Sequence, residues 1–128
     1  MTSVMLKDIK VELNERTILN RINMELVEGK VTTIIGPNGC GKSTMLKTIS
    51  RIISAKEGGV YINDMDIRQM KSKDVAKKVG ILSQKNRLQY DVKVRDLVSF
   101  SRYPHLKRFQ SLKPDDYKII DWALKETG

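Results

Sequence analysis

Gly36-Pro37-Asn38-Gly39-Cys40-Gly41-Lys42-Ser43 decides how the rest of the chain is read. Every fixed position of the pattern G-x-x-x-x-G-K-[ST] is filled. A polyphosphate needs many donors aimed at one point. Small residues let the backbone wrap inward so that successive N–H groups face the anion. A helix opening at Lys42 adds its positive N-terminus. The pattern therefore predicts that Lys42 reaches the β- and γ-phosphates and that the Ser43 hydroxyl ligates Mg²⁺. From background residue usage, about one chain in two hundred of this length carries the pattern by accident. Its context sharpens the reading. Val31-Thr32-Thr33-Ile34-Ile35, β-branched throughout, predicts a strand buried on both faces. On the other side Met45, Leu46, Ile49, Ile52 and Ile53 recur at helical spacing, predicting a helix over 42–53. Cys40 reads as a small residue where bulk would clash; a reactive thiol beside a helix N-terminus is the other reading.

Working outward, residues 4–26 alternate loosely between apolar and polar, with Asn14-Glu15 between two runs, as two strands joined by a turn do. Glu28-Gly29-Lys30 is a second turn. Gly58-Gly59 reads as a break, Val60-Tyr61-Ile62 as a short strand and Asn63-Asp64 as a turn. Ser72 is a candidate cap for a helix through Val75 and Ala76, and residues 79–83 look like another strand. Val94, Leu97, Val98 and Ser101 share one face of a helix that Pro104 should stop. Pro114 stands in the first turn of a last helix, with Asp115 and Asp116 at its positive end. Ile119, Ile120, Ala123 and Leu124 form that helix's apolar stripe.

The 128 residues suffice for one modest domain that buries roughly two thirds of its unfolded surface. No apolar run approaches the roughly 20 residues of a spanning helix, and the N-terminus does not read as a secretory signal. One cysteine excludes an internal disulfide and fits a reducing compartment. One histidine, His105, excludes a His-cluster metal site. The net charge of +9 suits nucleic acid, anionic lipid or phosphorylated ligands; because the basic residues are spread along the chain, a solvated Lys-rich surface is the favoured account.

At this point the chain resembles the ATP-binding subunits of ABC transporters. The residues that carry the likeness are Gly36 through Ser43 with Thr44, the upstream Thr17-Ile18-Leu19-Asn20-Arg21-Ile22-Asn23 with Glu28-Gly29, and Ile81-Leu82-Ser83-Gln84, which looks like that family's Q-loop. Val94-Arg95-Asp96-Leu97-Val98-Ser99-Phe100-Ser101-Arg102-Tyr103-Pro104-His105 and Asp121-Trp122-Ala123-Leu124-Lys125-Glu126-Thr127-Gly128 look like segments of the branch that imports iron-siderophore, haem and cobalamin, as does Cys in the loop.

The resemblance implies an α/β fold of P-loop NTPase type: an N-terminal β-hairpin subdomain, part of a parallel-sheet core, and the start of a helical subdomain. Residues 1–84 would be the ATP-binding core with P-loop and Q-loop, and 85–128 the beginning of the helical part. It implies ATP and Mg²⁺ as ligands, held by Gly36, Pro37, Asn38, Gly39, Cys40, Gly41, Lys42, Ser43 and Thr44, with Gln84 touching Mg²⁺ and the attacking water. It implies membrane-spanning permease subunits as partners near Gln84 and 94–105, a second copy arranged head to tail, an indirect link to a substrate-binding protein outside the membrane, no nucleic acid, and a peripheral place on the cytoplasmic face.

Two departures qualify this. The family stacks adenine on an aromatic in the early hairpin, and here that position holds Leu13, an aliphatic contact worth about 1 kcal/mol less. The signature loop, the acidic strand with its Mg²⁺-binding Asp and catalytic Glu, and the switch histidine do not occur. Ile119-Ile120-Asp121 is no substitute, since Trp122 follows it. The expectation is thus the truncated N-terminal part of a subunit, catalytic in full and inactive in this part. An ABC ATPase of another import branch and a non-catalytic nucleotide-binding module are the alternatives.

Overall fold

A computed structural model of the chain describes residues 3–83 and 91–128. It divides into two compact units, Met1–Ile81 and Leu82–Gly128.

The first unit is built on an antiparallel sheet. Strands β1 (Val4–Leu13) and β2 (Arg16–Leu26) form the expected hairpin, joined at Asn14 and Glu15, whose φ values of 49° and 62° are those of a tight hairpin turn matched to strand twist. Strand β3 (Glu57–Ile62) adds to the other side of β1, and β4 (Met65–Asp66) follows through a second such turn at Asn63 and Asp64, with φ of 50° and 62°. The order is β2-β1-β3-β4, antiparallel at every step. Glu28 and Gly29 form the predicted turn, Gly29 at φ 71°.

The hairpin is bent. Asp8 and Arg21 both take positive φ, and the β1–β2 register slips between Leu6 and Ile9. Asn23 clamps this bulge. Its Oδ1 accepts from the Asp8 N–H at 3.0 Å, and its Nδ2 donates to Asp8 Oδ1 at 3.0 Å and to the Arg21 carbonyl at 3.3 Å. Gly58 lies against the same bulge at φ 77°, where a Cβ would overlap the carbonyl oxygens of Lys7 and Asp8. This corrects the sequence reading of Gly58-Gly59 as a break. Both are inside β3, and the first is glycine because β1's backbone is too close for anything larger.

Helix α1 (Lys42–Ile49) lays Met45, Thr48 and Ile49 onto the sheet, where they join Leu6, Ile9, Val11, Leu19, Val60 and Ile62 in the core. The helix is shorter than expected. Its carbonyls are closed by an Arg51 N–H bond to Thr48 O at 3.1 Å and an Ile52 N–H bond to Lys47 O at 2.8 Å. That is the Schellman pattern, with Arg51 at φ 61° in the place usually given to glycine. The Arg51 side chain offsets this by donating from Nη1 to the Met70 carbonyl at 2.8 Å. Ile52 is consequently exposed. Helix α2 (Ser72–Lys78) buries Val75; Lys71 is its N-cap, and Ser72 is the first helical residue rather than the cap.

Residues 31–35 and 79–83 are not strands. Val31 is 96% exposed and Ile35 89%. A strand buried on both faces exists only through neighbours on both sides, and no parallel pair is present among the described residues. The parallel-sheet part of the expected core is therefore not formed.

In the second unit, α3 (Val94–Ser99) passes into a 3-10 helix, Phe100–His105, that carries Pro104 inside it. Pro104 therefore lies beyond the α-helix and does not end it. Helix α4 (Pro114–Thr127) begins as predicted, with Pro114 at its first position. Its buried residues are Ile120 and Asp116. Asp116 Oδ2 accepts from the Lys113 backbone N–H at 2.9 Å, and Oδ1 accepts from Arg102 Nε at 2.9 Å, tying the 3-10 segment to the start of α4. Arg95 and Asp121 make a second ion pair between α3 and α4 at 2.6 Å.

Two outcomes are expected. Gly58→Ala should lower stability by about 3 kcal/mol or more, read as a fall in urea midpoint, because it combines backbone overlap with a disfavoured φ; a midpoint equal to the unsubstituted chain would refute the account of β3. In the second unit, the Lys113 N–H and then the Arg102 guanidinium hold the Asp116 carboxyl below the ordinary carboxylate range. A depressed folded pKa means the contribution is complete above the unfolded value of about 4 and is lost as pH falls through the folded value. Asp116→Asn should destabilise α4 at neutral pH and flatten its acid limb in helical circular dichroism melts.

Candidate functional site

The loop of residues 36–41 leads directly into α1. Two glycines shape it. Gly39 sits at φ 82° and Gly41, the N-cap of α1, at φ 100°. Both values are readily adopted only by glycine. Gly41 is also seated sterically. A Cβ there would lie 2.8 Å from Leu19 Cδ2 and 3.1 Å from the Ile18 carbonyl oxygen, so the start of α1 presses on β2 through a residue with no side chain. Leu19 is the platform of the loop, a role that sequence reading did not assign to it. Its signals were an apolar place in an amphipathic strand and membership of the Thr17–Asn23 segment that carries the family likeness. The Met45 N–H bonds back to Gly41 O at 2.9 Å, starting the helix. The earlier N–H groups of the first turn have no partner within the helix by its geometry.

Lys42 folds over its own loop. Its Nζ donates to the carbonyls of Gly36 at 2.6 Å and Pro37 at 2.7 Å, and lies 3.6 Å from Cys40 Sγ. The ammonium is thus held within the curve of residues 36–40. Cys40 is exposed, and its Sγ turns back to within 2.7 Å of where a Gly36 Cβ would be. Pro37 and Asn38 are exposed at the loop's outer turn, where Cys40 N–H reaches Pro37 O at 3.4 Å. Ser43 is exposed and Thr44 half-buried in the first turn of α1, with the Thr44 carbonyl accepting from Thr48 Oγ1 at 2.8 Å. The arrangement fits a polyphosphate: a glycine-shaped concavity, the open N-terminus of an eight-residue helix, a cation already inside it, and a hydroxyl beside it.

Leu13 is 39% exposed and pairs with Arg16 at the hairpin end. Ile18 and Leu19, which seat Gly41, follow within three residues on β2. The fold brings Leu13's end of the hairpin and the end of the loop to the same region of the sheet. Gln84 lies outside the described residues. Among the described residues no group of three or more His, Cys, Asp or Glu comes together, and no helix is long and apolar enough to cross a membrane.

Residues 19–128 match the family model described as ABC transporter. The chain is 44% identical over its whole length to the iron(3+)-hydroxamate import ATP-binding protein FhuC of Bacillus subtilis, covering 48% of that protein. It is 38% identical over 112 residues to the ferric enterobactin transport ATP-binding protein FepC of Escherichia coli, covering 88% of this chain and 41% of that one. The chain spans about half the length of the curated relatives it matches. Among solved structures, a bacterial Atm1-family ABC exporter with ATP bound superposes with a TM-score of 0.70 at 25% identity, over 77% of this chain and 17% of that one. A putative ABC transporter ATP-binding protein from Pyrococcus furiosus gives a TM-score of 0.63 at 28% identity, over 77% of this chain and 46% of that one.

Gly41→Ala is expected to cost about 2 kcal/mol or more in the first unit, from the contact with Leu19 and the positive φ together. Leu19→Ala in the same background should recover part of that loss by making room, so that the two substitutions are less than additive in a urea double-mutant cycle. Strict additivity would show that Gly41 does not rest on Leu19.

Proposed function

The chain belongs to the ABC transporter family, and on that premise we propose that it forms the nucleotide-binding part of the ATP-hydrolysing, energy-coupling subunit of an importer for iron-siderophore or related metal-chelate cargo. The observation that supports this best is the seated loop: Gly39 and Gly41 at positive φ, Gly41 against Leu19, and Lys42 turned into the loop. The branch is supported by the roles of the relatives, which are iron(3+)-hydroxamate import and ferric enterobactin transport.

In this reading the backbone N–H groups of residues 39–44 and the N-terminus of α1 hold the phosphates of ATP. The Lys42 ammonium exchanges the neutral carbonyls of Gly36 and Pro37 for phosphate oxygens, a stronger, charge-assisted bond. Ser43 supplies a hydroxyl ligand for Mg²⁺, which when bound neutralises charge on the terminal phosphates. Gly36, Pro37, Asn38 and Cys40 form the wall of the loop and Thr44 supports the first turn. Leu13 offers an aliphatic surface to the base. Gln84 orients the attacking water and relays the state of the site to membrane-spanning permease subunits, with 94–105 contributing to their docking. Two copies enclose two nucleotides head to tail at the cytoplasmic face of the membrane, and an external substrate-binding protein delivers the cargo. This chemistry also needs a catalytic Glu and the signature loop, which do not occur in these 128 residues.

Titration with Mg-ATP tests the reading. Lys42→Ala should weaken binding by about 2 kcal/mol, roughly thirtyfold, while leaving the urea midpoint close to that of the unsubstituted chain. Equal affinities in the two proteins would remove the loop from nucleotide binding.

A further inference from the structure

The second unit exposes a turn whose chemistry neither the phosphate loop nor the family assignment explains. Between Asp96 and Asp115 the chain contains no acidic residue, yet it carries Arg102, Lys107, Arg108 and Lys113. Arg102 is engaged with Asp116. Lys107, Arg108 and Lys113 are exposed, and among the described residues no carboxylate pairs with their side chains. At the tip of this stretch stands Phe109. It is 94% exposed and sits at φ 62°, a conformation that costs a bulky residue of order 1–3 kcal/mol.

The strain is imposed by a closed turn. The Gln110 N–H bonds to Lys107 O at 3.1 Å, and the Gln110 side-chain oxygen accepts from the Lys107 N–H at 2.9 Å. The Arg108 guanidinium lies 5.1 Å from the centre of the Phe109 ring. Leu106 and Leu112, on either side, are half-buried. The turn therefore presents one aromatic ring outward, with Lys107 at its start and Arg108 against the ring.

We infer that the Lys107–Gln110 turn is an interfacial contact for an anionic lipid bilayer: Phe109 enters the boundary between headgroups and acyl chains, and Lys107 and Arg108 meet the lipid phosphates. A single-stranded nucleic acid also favours aromatic and basic residues, but it is held in a charged groove along which successive bases stack. Here the ring is single and stands at the tip of a tight turn, a shape that penetrates an interface and offers no track for a strand. The contact is made by this chain itself, separately from any permease docking, and holds whether or not the phosphate loop binds nucleotide.

The test is co-sedimentation of the 128-residue chain with vesicles of phosphatidylcholine alone and of an equal mixture with phosphatidylglycerol. Each basic residue near an anionic surface is worth about 1 kcal/mol, or about fivefold. Lys107→Gln with Arg108→Gln should therefore weaken binding to the mixed vesicles by about 25-fold, and added salt should weaken binding of the unsubstituted chain more than that of the variant. Trp122 is the only tryptophan, so Phe109→Trp in a Trp122→Phe background reports directly on the tip, and its emission should shift to the blue with mixed vesicles only. Equal retention on both vesicle types, unchanged binding by the double variant, or no emission shift overturns the proposal. So does a single-stranded oligonucleotide that binds more tightly than the vesicles and is lost in the double variant. Should the double variant lose helical circular dichroism, the emission of the Phe109→Trp protein decides alone.

Discussion

A hydrogen atom, where every other residue type carries a side chain, sets the relation between loop and sheet. Gly41 rests on Leu19 and the Ile18 carbonyl with no room for a Cβ. From that contact the direction of α1 follows, and with it the burial of Met45, Thr48 and Ile49 and the position of the loop's concave side. The ledge it rests on is β2, held in turn by its pairing with β1 and by the bulge that Asn23 clamps. The hairpin therefore determines where the loop of residues 36–41 points. Loops carry function because rigid elements place them.

Lys42 adds an electrostatic counterpart to this steric arrangement. An ammonium inside a ring of backbone needs acceptors, and the Gly36 and Pro37 carbonyls supply them. The loop is thereby held curved by a residue whose stronger partner would be an anion. Such pre-organisation lowers the entropic cost of closing several flexible residues around a ligand.

What was legible in the sequence was what short-range chemistry determines. The hairpin, its turn at Asn14 and Glu15, the turn at Asn63 and Asp64, the helix opening at Lys42, and α4 with Pro114 leading and Asp116 in its first turn all follow from residues a few positions apart. Misreadings came where distant partners decide. Gly58 signals a break when read locally and a close approach once β1 lies beside it. Residues 31–35 have the composition of a central strand, but composition cannot supply neighbours. The C-terminus of α1 was missed because Arg51 occupies a position normally marked by glycine, and only its distant acceptor, Met70 O, accounts for it. For the site, the positions of the loop residues were evident from spacing alone, whereas Leu19 beneath them was not.

The run 31–35, exposed except at Ile34, which packs against the core, also bears on how the chain behaves in a crowd. Five consecutive β-branched residues, uncharged and outside any strand, are a template for cross-β pairing between chains. Two neighbours limit the hazard. Lys30 places a charge at one end, and Gly36-Pro37 ends the pairing-competent segment at the other, since proline has no N–H to donate. The same Pro37 that shapes the loop thus also acts as a gatekeeper, restricting how far intermolecular stacking can run before the phosphate loop interrupts it.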